Sequence, residues 1–104
     1  MSVSYSPRAL REIAEIYAYI AKENPTGAER VRDRIKEVAA FVGEFPSAGR
    51  AVSLKNIRVI PVDPHPYLIF FREVPRQREV RILRVRHAAR RPLYVNEPTR
   101  EFAR

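Results

Sequence analysis

The fold is decided by YLIFFREVPRQREVRILRVRH, residues 67–87, which contains two strand-like runs separated by a short turn. Tyr67–Val74 and Glu79–His87 are rich in β-branched and aromatic residues, and PRQR between them is typical of a turn. A connection this short favours antiparallel pairing. A third run of the same kind, NIRVIPV at 56–62, precedes them across the turn DPHP. The sequence therefore predicts a three-stranded antiparallel meander.

Upstream of the meander, a short strand (SVSY, 2–5) and two helices are predicted. Ser6-Pro7 and Asn24-Pro25 each combine a capping side chain with a proline, which suits the first position of a helix. Apolar residues then recur every three or four positions, as on the buried face of a helix. The first stripe comprises Leu10, Ile13, Ile16, Tyr17 and Ile20, and the second comprises Ala28, Val31, Ile35, Val38 and Val42. Because only a short turn joins the two helices, they should form an antiparallel hairpin.

The predicted order of elements is β-α-α-β-β-β. It gives an α+β fold, in which the helical hairpin packs on one face of a small antiparallel sheet. With 104 residues, 45% of them hydrophobic, the chain fits one domain with one core. We place this domain at 1–94 and expect 95–104 to be a loosely held tail, because Pro98 interrupts it.

Composition excludes several kinds of site. The chain has no cysteine and two histidines, so we expect no disulfide, no metal and no other cofactor. Its three glycines do not form a phosphate-binding loop. No apolar run approaches the ~18 residues of a membrane span, and the N-terminus lacks the apolar core of a signal peptide. We therefore expect a cytoplasmic protein with no membrane partner.

Positive charge is concentrated around the last strand. The net charge is +8, and residues 72–91 contain eight arginines and two acidic residues. An arginine-rich genome would explain the choice of arginine over lysine, but it would not explain the clustering. Concentrated positive charge indicates an acidic or polyanionic partner.

Two helices can cover only one face of the sheet, so the other face should be open. Strict alternation divides the last strand into two sets. One set contains Val80, Ile82, Arg84 and Arg86, and the other contains Arg81, Leu83, Val85 and His87. An exposed face that is partly apolar and lined with arginine usually marks a binding surface.

His87 is the candidate acid–base residue, because it ends the last strand among arginines. A neutral imidazole could move a proton on a phosphodiester while the arginines stabilise the developing negative charge. The alternative is that the His87 ring only forms a hydrogen bond that fixes the end of the strand. His65 lies between two prolines and is interpreted as a turn residue.

Four segments carry a family resemblance: ALREIAEIYAYIAKENPTGAERV at 9–31, FPSAGR at 45–50, IRVIPV…HPYLIFF at 57–71 and VRILRVRHAARRP at 80–92. In this order and spacing they resemble the bacterial ParE/RelE superfamily, the toxins of type II toxin–antitoxin systems. The resemblance implies the fold predicted above. It also implies a cognate acidic antitoxin, ParD-like, that wraps the toxin in a hetero-oligomer.

The resemblance implies one of two activities. ParE-like members inhibit DNA gyrase without a catalytic set, whereas RelE-like members are ribosome-dependent mRNA endonucleases. The ribonuclease branch often has basic residues where this chain has Leu68, Ile60 and Ala88, so the ParE-like branch is favoured. If the chain were a ribonuclease, the resemblance would assign its catalysis to His87, Tyr94 and Arg58.

Two sets of contact residues are expected for the ParE-like reading, and no catalytic residue. The target-binding set, which would contact gyrase or its DNA together with the tail, comprises Arg81, Arg84, Arg86, Arg90 and Arg91. The antitoxin-binding set consists of apolar sheet residues and comprises Leu68, Phe70, Ile60, Val62 and Ile82.

Overall fold

A computed structural model describes residues 1–54 and 56–90. Its elements are β1 (Ser2–Tyr5), α1 (Pro7–Ala21), α2 (Pro25–Glu44), β2 (Arg50–Ala51), β3 (Arg58–Pro61), β4 (Tyr67–Val74), a 3-10 turn (Pro75–Gln77) and β5 (Glu79–His87). The last two strands begin and end at the predicted residues. The predicted tail at 95–104, together with Arg91 and Tyr94, lies outside the described residues.

Five strands form one sheet in the order β1-β5-β4-β3-β2. The predicted α+β fold is confirmed, and β3, β4 and β5 form the antiparallel meander. Two further pairings were not evident from the sequence pattern: β1 lies parallel to β5, and the two-residue strand β2 lies antiparallel to β3. The sheet is therefore mixed: β1 is an edge strand parallel to β5, and the other neighbouring strands are antiparallel.

Both helices begin where the sequence predicts. Ser6 Oγ accepts a hydrogen bond from the backbone N–H of Ala9 at 3.0 Å, and Asn24 Oδ1 accepts one from Gly27 at 2.9 Å. A proline follows each cap as the first helical residue. The two caps satisfy amide groups that have no partner within the first turn of a helix.

The predicted apolar stripe of α2 is confirmed, because all five of its residues are buried. The stripe of α1 is wrong at one position: Leu10 is 55% exposed, and Ala9 is fully buried in its place. Ala9 shares a helix face with Ile13, Ile16 and Ile20, whereas Leu10 lies roughly 100° around the axis from it. The three isoleucines pack only partly against the core. Helix α1 is therefore the more exposed of the two.

A bulge in β5 changes the direction of the side chains that follow it. Phe71 lies opposite Ile82, but its neighbour Phe70 lies opposite Arg84, so Leu83 is an extra residue in the ladder. One extra residue shifts the in-and-out alternation of a strand by one position. The strict alternation expected from the sequence is therefore wrong beyond Ile82.

The shifted alternation separates apolar side chains from charged ones. Val80, Ile82 and Val85 all belong to the core under the helices. Arg84 and Arg86 lie opposite Phe70 and Leu68, whose side chains belong to the other face of the sheet. The prediction that both arginines share a face with Val80 and Ile82 is therefore wrong. The core consequently excludes both guanidinium groups, although only one residue separates Ile82 from Arg84.

The sheet face turned away from the helices carries a second, smaller apolar cluster. Ile57, Val59 and Phe70 are buried in it, and Val52, Leu68 and Leu83 pack partly against them. This face was expected to be open. It is only partly open, because its three central residues are at most 9% exposed.

Candidate binding groove at the end of strand β5

A groove of about 600 Å³ lies between α1 and the last residues of β5. It exists because β1 is the shorter strand: its pairing ends where Tyr5 meets Ile82, and β5 continues to His87. Helix α1 passes beside the part of β5 that β1 does not cover. The groove is lined by Glu12, Glu15, Ile16, Tyr19, Tyr67, Val85, Arg86, His87, Ala89 and Arg90.

Ser6 joins the start of α1 to the edge of β5. Its backbone N–H donates to the carbonyl oxygen of Ile82 at 2.9 Å, and its Oγ donates to that of Leu83 at 2.9 Å. The same Oγ accepts the capping bond of α1. One serine therefore caps the helix and covers the strand edge at the point where β1 ends.

Glu12 makes further contacts along this edge. Its Oε2 accepts from Nε and Nη2 of Arg84 at 2.9 and 2.6 Å, and its Oε1 accepts from the backbone N–H of Val85 at 2.9 Å. The side chains of Arg84 and Glu12 are only 10% and 16% exposed. Removing one partner of such a pair typically costs about 3–5 kcal/mol, because the other charge stays buried. Arg84, predicted to bind the target, is thus held within the fold.

Within the part of the chain that the structure describes, Arg86 and Arg90 are the predicted target-binding residues that line the groove. Burial, followed by the positive charge of Arg84, lowers the pKa of Arg86; Arg90 and Arg8 act in the same direction, and Glu12 opposes them. An arginine with a lowered pKa is still charged at neutral pH. Arg8, one helical turn before Glu12, therefore belongs to this basic end of the molecule. Sequence reasoning missed it because Arg8 lies far from Arg86 along the chain and no local pattern connects the two.

Arg81 was predicted with the other arginines, but it lies apart from the groove. Its Nη2 and Nε donate to Oε2 of Glu79 at 2.7 and 3.1 Å, and Ser4 Oγ donates to the same oxygen at 2.7 Å. These hydrogen bonds, from Ser4 first and Arg81 second, lower the pKa of Glu79. Five residues, or roughly 17 Å of strand, separate Arg81 from Arg86. The two arginines therefore do not form one cluster.

His87 lies in the groove with its imidazole in contact on two sides. The backbone N–H of Ala89 donates to Nδ1 at 3.0 Å, and the ring of Tyr67 meets the imidazole edge-on at 5.3 Å between centroids. Because Nδ1 acts as an acceptor, the neutral ring carries its proton on Nε2. The contact to Ala89 is of the kind expected from a histidine that fixes the strand end. Nε2 is the ring atom left for any other chemistry.

Tyr19 is a groove residue that sequence reasoning missed. Its side chain is 74% exposed, although it is a large aromatic group. Burial, and then the charge of Tyr19, raises the pKa of Tyr67 on the opposite wall. The only signal in the sequence was an aromatic residue lying off the apolar stripe of the helix, which the stripe itself does not explain.

Arg58 is not in the groove. Its Nε donates to the carbonyl oxygen of Ala48 at 2.9 Å, and its Nη2 donates to that of Gly49 at 3.0 Å. The strand register places Arg58 roughly 13 Å along the strands and about 10 Å across the sheet from His87. Tyr94 lies outside the described residues. Within residues 1–54 and 56–90, the predicted ribonuclease residues are therefore not brought together.

The five predicted antitoxin contacts do not form one surface. Val62 and Ile82 have no exposed area, so they cannot touch a partner of the folded chain. Ile60 is partly buried on the helix side of the sheet. Leu68 and Phe70 belong to the cluster on the other face, where Phe70 is 1% exposed. Ile60 and Leu68 are thus the members of this set that retain accessible surface.

Two further kinds of site are not found in the part of the chain that the structure describes. No helix there is both long and apolar enough to cross a membrane. No three histidine, aspartate or glutamate side chains there are grouped so that they could hold a metal ion.

Relatives of the chain align with most of its length. Residues 3–92 match the family model for the ParE toxin of the type II toxin–antitoxin system parDE. Y4kP of Sinorhizobium fredii (strain NBRC 101917 / NGR234) is 38% identical over 86 residues, which cover 83% of this chain and 86% of that protein. Toxin RelE2 of Caulobacter vibrioides (strain ATCC 19089 / CIP 103742 / CB 15) is 36% identical over 90 residues, covering 85% and 96%.

Solved structures share the fold. A chain of the chromosomal ParDE TA system from P. aeruginosa matches with a TM-score of 0.73 at 22% identity, covering 84% of this chain and 95% of that one. A chain of the intact E. coli RelBE toxin–antitoxin complex matches with a TM-score of 0.62 at 19% identity, covering 86% and 98%. At such identities the likeness shows the fold alone. The family match over residues 3–92, with two relatives above 30% identity, shows that this chain belongs to the ParE toxin family of type II toxin–antitoxin systems.

Proposed function

We propose that this toxin inhibits DNA gyrase by binding to it, and that a cognate ParD-like antitoxin neutralises it. In this proposal Arg86 and Arg90 contact gyrase or the DNA that gyrase holds. Arg91, outside the described residues, extends the same run of charge. Arg81 and Arg84 support the fold, and no residue of the toxin acts as a catalyst.

The position of Arg58 is the observation that carries this proposal. Cleavage of a phosphodiester depends on cations placed where negative charge develops, and removing one such group typically costs about 100-fold or more in rate. Arg58 is bound to two backbone carbonyl oxygens and lies far from His87. The groove offers Arg86 and Arg90 for binding, but the register keeps Arg58 from reaching a substrate held against His87.

Charge and known complexes support the antitoxin. The P. aeruginosa and E. coli neighbours come from a ParDE TA system and a RelBE toxin–antitoxin complex. A chain of net charge +8 suits an acidic partner, because opposite charge speeds encounter and disfavours wrong partners. We therefore expect a hetero-oligomer of this chain with an acidic antitoxin.

A second candidate function is ribosome-dependent cleavage of messenger RNA, and His87 is the observation that favours it. Its Nε2 lies in a groove that also contains Arg86 and Arg90, and one relative carries the name toxin RelE2. Under this alternative His87→Ala alone would abolish growth inhibition. A toxin that acts only by binding gyrase would tolerate the same change.

The experiment that separates the two functions is incorporation of labelled methionine, measured within minutes of inducing the toxin alone in bacteria. Continued protein synthesis in cells that filament and lose viability is the expected result. Prompt collapse of protein synthesis would contradict the gyrase proposal and favour the ribonuclease. Supercoiling of relaxed plasmid by purified gyrase then gives the direct readout, because the purified toxin should inhibit this reaction in the absence of ribosomes.

A further inference from the structure

Side chains of α1, rather than a strand, hold the outer edge of β5 beyond its last pair with β1. Ser6 Oγ donates to the carbonyl oxygen of Leu83, and Glu12 Oε1 then accepts from the N–H of Val85 at 2.9 Å. On its inner edge β5 stays paired with β4 to its end. The carboxylate of Glu12 therefore occupies a place that a carbonyl group of a neighbouring strand would otherwise take.

The ion pair to Arg84 is a poor explanation for a buried carboxylate at this position. Apolar residues of similar volume are often as stabilising as a buried ion pair, or more so, because charged groups are costly to remove from water. The bond to Val85 does something that an apolar pair cannot do. It fixes the backbone of β5 relative to α1, and these two elements are the walls of the groove.

The residues that follow Val85 line the groove. Arg86 and His87 follow it directly, and both line the groove opposite Glu15 and Tyr19 of α1. The bulge at Leu83 lies just before this segment, and a bulge bends and twists the strand that contains it. The ladder with β4 fixes this segment within the sheet, and the hydrogen bond from Val85 to Glu12 fixes it relative to α1.

We propose that Glu12 is a positioning residue, which sets the distance between α1 and the end of β5 so that Arg86 and Arg90 fit the partner. The proposal rests on the proposed function in one respect: it takes the groove as the surface that binds the target. Glu12 lies at the wall of the groove, but both of its carboxylate oxygens accept hydrogen bonds from Arg84 and Val85, and only 16% of its side chain is exposed.

Two variants separate the ion pair from the backbone contact. Glu12→Gln removes the charge but keeps an oxygen that can accept from the N–H of Val85. Exchange of the pair, Glu12→Arg with Arg84→Glu, keeps opposite charges but removes the acceptor from α1. If the exchanged pair does not fold, Glu12→Leu with Arg84→Met serves the same purpose without burying a charge.

Two measurements compare these variants with the parent. Amide hydrogen exchange in the purified full-length chain reports the Val85 contact, and growth inhibition per amount of folded protein reports toxicity. We expect the exchanged pair to melt close to the parent temperature, yet to exchange its Val85 amide about tenfold faster or more. We also expect it to need about 10- to 100-fold more protein for equal growth inhibition, because small displacements of contact groups are costly. Glu12→Gln should melt at a lower temperature, because Arg84 loses its buried counter-charge. Once that loss of global stability is taken into account, its Val85 amide should stay better protected, and its growth inhibition per amount of folded protein should fall less, than in the exchanged pair.

Several outcomes would overturn the proposal. The exchanged pair could keep full toxicity, or its Val85 amide could keep the protection of the parent. Alternatively, the toxicity of every variant could fall only in proportion to the amount of folded protein. Arg86→Ala with Arg90→Ala distinguishes this from failure of the proposed function. If that variant remains fully toxic, the groove is not the target surface. Amide hydrogen exchange of Val85 in the Glu12 variants would still report whether Glu12 holds the strand.

Discussion

The guanidinium of Arg58 donates to the carbonyl oxygen of Ala48 at 2.9 Å, and this bond ties the loop before β2 to strand β3. We expect Arg58→Ala to lower the free energy of unfolding by about 1–3 kcal/mol, because the carbonyl groups of Ala48 and Gly49 both lose a charged hydrogen-bond donor. Partial solvation of both carbonyl groups keeps the loss within this range. Urea denaturation measures this change. Growth inhibition per folded molecule should stay constant.

Arg50→Ala is the matched control for Arg58, because Arg50 is an exposed arginine of the same region. Its stability should change by no more than about 0.5 kcal/mol. The opposite pattern, in which Arg58→Ala is fully stable but harmless to cells, would contradict the structural role. It would restore Arg58 as a residue that acts on RNA.

Gly49 occupies a position that other residues cannot take without strain. Its φ is +74°, and a Cβ atom there would overlap the carbonyl oxygen of Val59. We expect Gly49→Ala to lower the free energy of unfolding by about 2 kcal/mol or more, since the left-handed conformation alone costs roughly 1–2 kcal/mol. Thermal melting checks the change against Ser47→Ala, an exposed neighbour that should melt like the parent.

The bulge predicts an unusual response to deletion. Without Leu83, Ile82 and Arg84 become consecutive and lie opposite the consecutive residues Phe71 and Phe70, so the ladder turns regular and each face keeps its residues. We expect this variant to fold, with a loss of about 1–2 kcal/mol for one half-buried leucine. Circular dichroism with thermal melting tests the expectation.

Deletion of Val85 is the control for the bulge. It removes a core residue and moves the following arginine into phase with the core, so this variant should not fold cooperatively. If both deletions behaved alike, the bulge would not be the feature that separates core from charged positions.

Arg86 and Arg90 should carry target binding. We expect Arg86→Ala with Arg90→Ala to reduce inhibition of gyrase supercoiling about tenfold or more, because both guanidinium groups line the groove. The matched control is Arg72→Ala with Arg76→Ala, which removes the same charge from two exposed positions elsewhere. Equal losses in the two variants would mean that net charge, rather than this groove, governs inhibition.

Acid should weaken the fold partly through Glu79. Hydrogen bonds from Ser4 and Arg81 lower the pKa of this carboxyl below its ordinary value of 4.5. A group whose pKa is lowered by folding stabilises the folded chain above the unfolded pKa, and this contribution is lost as the pH falls through the folded pKa. Urea denaturation between pH 6 and pH 3 should therefore show a shallower acid loss for Glu79→Gln than for the parent. Parallel curves would contradict it.

Local signals in the sequence predicted most of the fold. The caps Ser6 and Asn24 with their prolines, the stripe of α2 and the hairpin around PRQR depend on neighbouring residues, so the sequence contains all that is needed to recognise them. The parallel pairing of β1 depends on a contact 77 residues away, between Val3 and Val80. No local pattern encodes it.

The candidate site was predicted less completely, because single residues decide it. The run of arginines indicated the right end of the molecule, and Arg86, His87 and Arg90 do line one groove. One extra residue, Leu83, reversed the alternation on which the face assignment depended. The pairing of Arg84 with Glu12 spans 72 positions, so a buried arginine could not be told from a free one.

The bulge in β5 has a consequence for how such a chain can change over generations. The extra residue Leu83 lets Val80, Ile82 and Val85 face the core while Arg84 and Arg86 face outward. A codon change at position 86 can alter the sign or size of the outward side chain without disturbing Val80, Ile82 or Val85. A toxin built in this way can exchange one partner for another by a few substitutions on an unchanged core. If the same residues alternated without a bulge, position 86 would fall in phase with Ile82, and the same substitutions would disturb the interior.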